Sequence, residues 1–291
     1  MFGLSSTKWG AQEAKKELAK VYEVKDLAIS LSQRAYLTRV LERFQMTNCN
    51  PRHTPLPTGI VLQLLGALMW AQAATRPDLS FAVALLACFQ ANPGPAHWKA
   101  LLHVLAYIKG TLDYKIVYSK ELGGSIKPTG YVDSDYGGDL DTRRSTTGYV
   151  FLMAGGPVSW SSKRQQTVAL STTEAEYMAM MQGSQQALWM HNFLAEIDLA
   201  QPRPALLHVD INSSIALAQS TKGHARAKHI DIRHHYIRER VSEGDIEIIH
   251  IPSSENIADI CTKPLTRAAH DYLVGSMGLK NQDGRTSQGE C

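Results

Sequence analysis

Six acidic residues stand where a packed domain has little use for charge. Asp133 and Asp135 lie in "GYVDSDYG", a run that otherwise reads as strand, and Glu174 and Glu176 open the long helical stretch "TTEAEYMAMM". Asp210 closes the strand-like "ALLHVD", and Asp259 sits in "ENIADICTKPL". A carboxylate within an apolar strand is costly unless it is hydrogen-bonded or ligates a cation, because desolvation penalises the charged form. Carboxylates about 4 Å apart repel by about 4 kcal/mol per pair at an effective dielectric of about 20, so a convergent cluster needs a divalent cation to stay ionised. Magnesium suits such hard oxygen donors. Two such ions about 3.5–4 Å apart can activate a water and stabilise the leaving oxygen of a phosphodiester. The competing reading is of surface and turn acids that happen to fall at element ends, which is what Asp139 and Asp141 in "GGDLDTRR" are expected to be.

The elements that must position these groups follow from periodicity and breakers. The first third reads as helical. "AYLTRVLERFQM" is apolar on one face at Leu37, Val40, Leu41 and Phe44, and "HWKALLHVLAYIKGT" at Trp98, Leu101, Leu102, Leu105 and Ile108. "RPDLSFAVALLACFQANPGP" is a further helix, with Pro77 in its first turn. After the Gly-rich "ELGGSIKPTG", the runs "KPTGYVD", "TTGYVFLMAG" and "GPVSWSSK" read as consecutive strands joined in hairpins. A long helix follows, then the strand "ALLHVDIN", a short helix "SSIALAQS", a basic helix "DIRHHYIRERVSEG", a strand "DIEIIHIP" and a last helix "SENIADICTKPL". That order implies an α/β domain, a mixed sheet with helices on both faces. The expected division is a helical region over 1–122, an α/β domain over 123–279 and a disordered polar tail over 280–291.

Composition excludes less. The 291 residues carry a formal net charge of +3, so attraction to nucleic acid must come from local clustering. The four cysteines are far apart with no CxxC spacing, which argues against a disulfide framework and a zinc knuckle and fits a reducing compartment. The apolar run "GIVLQLLGALMWAQAA" is broken by Gln63 and Gln72, so no membrane span and no membrane partner is expected.

Five blocks, "GYVDSDYGGDLDTRRSTTGYVF", "SWSSKRQQTVALSTTEAEYMAM", "LHVDINSSIAL", "KHIDIRHHYIRE" and "ENIADICTKPL", resemble in order and wording the ribonuclease H domain of copia-type retrotransposon Pol polyproteins. The helical first third resembles the end of the same family's reverse transcriptase. The resemblance implies a ribonuclease H-like three-layer fold with a five-stranded mixed sheet. It also implies a magnesium-dependent endonuclease, with two ions and manganese as an alternative, that acts on the RNA strand of RNA/DNA hybrids. Partners would be the hybrid and the remainder of a polyprotein, in the cytoplasm with the nucleus as a second location. Carried over residue by residue, the family's acids fall on Asp133 in "YVD", Glu176 in "EYMA", Asp210 in "HVD" and Asp259 in "IAD". Asp135 is the rival of Asp133 on the same strand face. Glu174 has a simpler reading, the N3 position of a capping box that opens at Ser171.

Two departures stand out. The loop before the last helix, "PSSEN", lacks the histidine many relatives carry, and His250 only ends the preceding strand. No adjacent Asp-Asp pair occurs anywhere, so the polymerase signature is missing and no polymerase activity is expected; the first third reads as a shortened remnant. The basic run "KGHARAKHIDIRHHYIRER" offers Lys222, Arg226, Lys228, Arg233 and Arg238 to a phosphate backbone, or else forms a solvated helix face. Its histidines lack the cysteine pair or second histidine motif that zinc would require. Trp160, Trp189 and the Met178, Met180, Met181 group are expected in the core. Two functions stay open: a two-metal ribonuclease H, or a catalytically silent remnant that only binds nucleic acid or a partner.

Overall fold

The computed structural model of the chain describes residues 24–25, 28–52, 64–118, 126–210 and 228–281. Its centre is a five-stranded mixed sheet. Strand β4 (Thr129–Ser134) is the middle strand; β5 (Thr146–Met153) and β6 (Gly156–Arg164) lie antiparallel on one side, and β7 (Ala205–Val209) and β8 (Ile246–His250) run parallel to it on the other. Three antiparallel strands in a meander followed by two parallel ones, in the order β6-β5-β4-β7-β8, define the ribonuclease H-like fold.

Helices cover both faces. On one, α5 (Thr172–Glu196) and α6 (Lys228–Ser242) close a core of Val132, Phe151, Met180, Leu207, Ile237 and Ile248. On the other, the 3-10 turn Ile257–Cys261 and helix α7 (Arg267–Ser276) pack over Val150 with Leu273, Val274 and Met277. Here the structure corrects the sequence reading. "SENIADICTKPL" is two 3-10 turns, Ser253–Glu255 and Ile257–Cys261, and the last helix lies further on, where Thr266 accepts a hydrogen bond from the Ala269 amide as N-cap. The expected short helix "SSIALAQS" lies outside the described residues.

The first third forms α1 (Arg34–Arg43), α2 (Leu65–Ala74), a 3-10 turn Pro77–Leu79, α3 (Ser80–Ala87) and α4 (Pro95–Gly110) around its own core. Leu101, Leu105 and Ile108 are buried there, whereas Trp98 is 43% exposed. It is not purely helical. β1 (Val24–Lys25) pairs with β2 (Ala28–Leu31), β2 with β3 (Lys115–Tyr118), and β3 with β9 (Leu279–Lys280) from far along the sequence. Lys280, which the sequence assigned to a disordered tail, is therefore in a strand opposite Lys115; residues 282–291 lie outside the described residues.

The same region backs the turn that carries Asp259. Ile116 of β3 shares a core with Ile257, Ile260 and Cys261. The Trp160 indole donates to the Gln72 carbonyl at 2.9 Å, and His270 of α7 meets the Tyr107 ring edge-on at 5.4 Å. Among the described residues no helix is long and apolar enough to cross a membrane.

Candidate active site

Parallel strands present their carboxyl ends side by side, and ligands favour that edge. The register pairs Tyr131 of β4 with His208 of β7, so two residues further on Asp133 and Asp210 come abreast. Helix α5 brings the third acid. Its buried stripe, Glu176, Met180, Gly183 and Ala187, repeats at helical spacing. A Cβ on Gly183 would come within 2.5 Å of Val132, so glycine lets the helix lie directly on β4. Glu176 thereby reaches the end of β4, where its Oε1 accepts the Ser134 amide at 3.2 Å.

Ligand oxygens of Asp133, Glu176 and Asp210 all lie within 4.8 Å of one another. Asp133 is 1% exposed and Glu176 4%, and among the described residues neither Glu176 Oε2 nor Asp210 Oδ1 has a hydrogen-bond partner. Burial first, then Asp133 and Asp210, push the Glu176 carboxyl up to about 9. Burial raises Asp133 as well, against the opposing pull of Lys263 and Thr262. Buried, unpartnered carboxylate oxygens at this spacing are the donor set of a hard divalent cation, so the residues fit magnesium or manganese.

Asp259 arrives from the other layer. Asn256, fully buried, donates from Nδ2 to the Val132 carbonyl at 2.9 Å and caps the turn by accepting from the Ala258 amide at 3.2 Å. Opposite Asp133 on β5 stands Gly148, where a Cβ would come within 2.6 Å of Thr262 and 2.8 Å of Cys261; glycine admits the turn against the sheet. Asp259 then meets Asp133 across the shared Lys263 ammonium, and burial, then Asp133, raise it to about 7. Thr262 Oγ1 donates to Asp133 Oδ2, and the Lys263 ammonium lies 2.8 Å from Asp259 Oδ1 and 3.7 Å from Asp133 Oδ2. Sequence reasoning passed over Asn256, Thr262 and Lys263. The one local hint was Thr262 and Lys263 following Asp259 at one-turn spacing in "ADICTKPL".

The remaining acids have other partners. Asp135, the rival of Asp133, accepts the Thr146 amide on β5, and burial raises it to about 6. Ser171 caps α5 by accepting the Glu174 amide at 3.1 Å, and Glu174 accepts from Leu170 at 2.8 Å, one residue before the amide a capping box would use. Asp139 is a turn residue, accepting the Asp141 and Thr142 amides at 3.0 Å each. His250 is exposed at the end of β8, opposite Val209.

Of the basic set, Lys222 and Arg226 and the side chains of Lys228 and Arg233 lie outside the described residues; Arg238 on α6 is half-buried and acts electrostatically on Tyr177 of α5. Met178 and Met180 are buried as expected. Trp189 is not; it is 57% exposed, stacks on Phe193 at 5.3 Å and lines an open cavity with Tyr149 of β5 and Lys163 of β6.

No family model matches the chain. It is 37% identical to the retrovirus-related Pol polyprotein from transposon TNT 1-94 of Nicotiana tabacum in an alignment covering 91% of this chain, and 34% identical over 86% of its length to that from transposon RE2 of Arabidopsis thaliana. The chain spans 23% and 18% of those two relatives. Among solved structures it is similar to LC11-RNase H1 isolated from compost, at 17% identity and a TM-score of 0.37, over 51% of this chain and 99% of that one.

Proposed function

The chain belongs to the retrovirus-related Pol polyproteins of copia-type transposons, and from that premise we propose that it is a ribonuclease H-type endonuclease that hydrolyses the RNA strand of RNA/DNA hybrids by a two-metal mechanism. The observation that carries the reading is the meeting of Asp133, Glu176 and Asp210 within 4.8 Å, with Glu176 Oε2 and Asp210 Oδ1 buried and without a hydrogen-bond partner among the described residues. Asp133, Glu176, Asp210 and Asp259 would hold the ions. Bound there, magnesium or manganese supplies charge neutralisation, a water acidic enough to attack a phosphodiester, and stabilisation of the leaving oxygen.

The chain's own groups set the geometry for this. The Thr262 hydroxyl fixes the rotamer of Asp133, the Ser134 amide fixes Glu176, and Asn256 holds the turn of Asp259 against β4. Preference for a hybrid would arise from contacts to the 2′-hydroxyl and the wide minor groove. The basic run around α6 is the proposed grip on the phosphate backbone.

The test is cleavage of an end-labelled RNA/DNA hybrid with magnesium by the full chain and by Asp133→Asn. The wild type is expected to cut the RNA strand and leave duplex DNA intact, and the variant to lose cleavage. Equal, background-level cutting by both would leave a folded remnant without catalysis.

A further inference from the structure

The acids do not make equivalent cation positions. Asp133, Glu176 and Asp210 form a three-carboxylate group from which Asp259 is absent, and Asp259 instead shares Lys263 with Asp133. We propose that the Lys263 ammonium is a built-in competitor for the second cation, holding the Asp133–Asp259 position until a divalent ion displaces it. The inference rests on the metal-dependent nuclease reading and assigns it an order of loading: first the Asp133, Glu176, Asp210 position, then the Asp133, Asp259 position.

Three observations support it. The ammonium lies within contact of both acids, 2.8 Å from Asp259 Oδ1 and 3.7 Å from Asp133 Oδ2, where an ion bridging the two would have to go. Two cations cannot share that space, since like charges at such separation repel strongly in a part-buried site. Lys263 also has somewhere to move. Its side chain is 37% exposed, although its backbone amide is tied to the Asp259 carbonyl at 3.2 Å. A lysine head is a hydrated point charge on a flexible stem, suited to leaving a carboxylate for solvent or for a substrate phosphate without moving the backbone. The turn that positions Asp259 therefore keeps its shape while the charge at its edge is exchanged.

The experiment is manganese binding to the full chain, followed by calorimetry, for the wild type, Lys263→Gln, Lys263→Arg and Asp210→Asn. The wild type should bind one ion tightly and a second more weakly. Lys263→Gln should strengthen the second step by about tenfold or more while leaving the first nearly unchanged, and Lys263→Arg should resemble the wild type. Asp210→Asn should lose the tight step. A second step that is unchanged or weakened in Lys263→Gln overturns the proposal. A wild type that binds no divalent ion overturns the nuclease reading beneath it. A readout that needs no glutamine variant is the ε-carbon resonance of Lys263 in 13C-lysine-labelled protein, assigned by its absence in Lys263→Arg. During a magnesium titration it should shift with the second binding step; a shift with the first step, or none, also overturns the proposal.

Discussion

Arg76 and Asp78 in the helical first third are as deeply buried as Asp133 in the sheet domain, each at 1% exposure, yet their surroundings are opposite. Arg76 forms a two-pronged pair with Asp78 at 2.9 and 2.7 Å and also donates to the Thr111 carbonyl and hydroxyl at 3.2 and 2.7 Å. Tyr107 donates to Asp78 at 2.6 Å. Burial alone would raise the Asp78 carboxyl, but Arg76 and Tyr107 outweigh it and hold it below its usual value. At the other cluster, carboxylates outnumber the cations that reach them, and burial pushes Glu176 up to about 9. Equal desolvation thus has two outcomes. Where every charge has its counter-charge, the network fixes structure; where counter-charge is missing, the site stores a demand for a cation.

The contrast is broken or upheld first by Asp78→Ala. The variant leaves the Arg76 guanidinium buried without its carboxylate, and removing one partner of a buried ion pair costs about 3–5 kcal/mol. Because the Pro77–Leu79 turn backs the turn of Asp259, urea unfolding should show that loss, and weakened cleavage should accompany it. A change of under about 1 kcal/mol would mean the pair is dispensable.

Magnesium sharpens the other half. A ligand at a hundredfold its dissociation constant stabilises a folded protein by about 2.7 kcal/mol. The wild type should gain stability of that order in thermal unfolding as magnesium is added. Asp133→Asn should gain little, since Asp133 faces both groups of ligands. Asp78→Ala, if folded, should keep the increment, because its charge serves no cation site.

The two clusters should also titrate in opposite directions in metal-free protein. Asp78 has a folded pKa below its unfolded value of 3.8, so its contribution is present above that pH and is lost as pH falls through the folded value. Glu176 has a folded pKa of about 9 against 4.5 unfolded, and Asp259 about 7 against 3.8. Their native forms bind protons the unfolded chain has released, so their contribution is full at low pH and declines as pH rises to about 7 and about 9. Thermal unfolding in EDTA should therefore show stability falling from about pH 5 to pH 9, and excess magnesium should flatten that slope by favouring the ionised carboxylates. An EDTA curve that rises over this range would show that the acids are already neutralised by protein.

How much of this could be read from residues alone depends on the range of the interaction. Asp133, Glu176 and Asp210 stood out as acids at the ends and starts of elements that local patterns mark, β4, β7 and the Ser171-capped α5, but it was the family resemblance that singled them out from Asp135, Glu174 and ordinary turn acids. Asn256, Thr262 and Lys263 did not stand out. Asn256 works through the carbonyl of Val132, 124 residues earlier, and Thr262 through Asp133, 129 residues earlier. No window sees those pairs. The same limit hid β9, two residues long and strand only because β3 is there to receive it. In the first third, Pro77 announced a helix start while the flanking Arg76 and Asp78, apart in sequence from Tyr107 and Thr111, gave no sign of their network. The "ENIADIC" segment misled because what holds it is long-range, the Asn256 bond to the Val132 carbonyl and the close approach to Gly148, and it forms a 3-10 turn there.

The smallest expected effect is the most discriminating. Glu176→Gln removes a buried carboxyl, a change that would cost several kcal/mol if the group belonged to a satisfied network like that of Asp78. In this cluster the side-chain oxygen can keep the Ser134 amide, as Glu176 Oε1 does, while the new amide nitrogen takes the place of Oε2, which has no partner among the described residues. It would be a donor among the acceptor oxygens of Asp133 and Asp210. Metal-free stability at neutral pH should therefore change by no more than about 1 kcal/mol, or rise, while the magnesium increment and hybrid cleavage are lost. If urea unfolding in EDTA instead shows a loss comparable to that of Asp78→Ala, the acids are structural, and the distinction between paired and unpaired burial fails at the site where function depends on it.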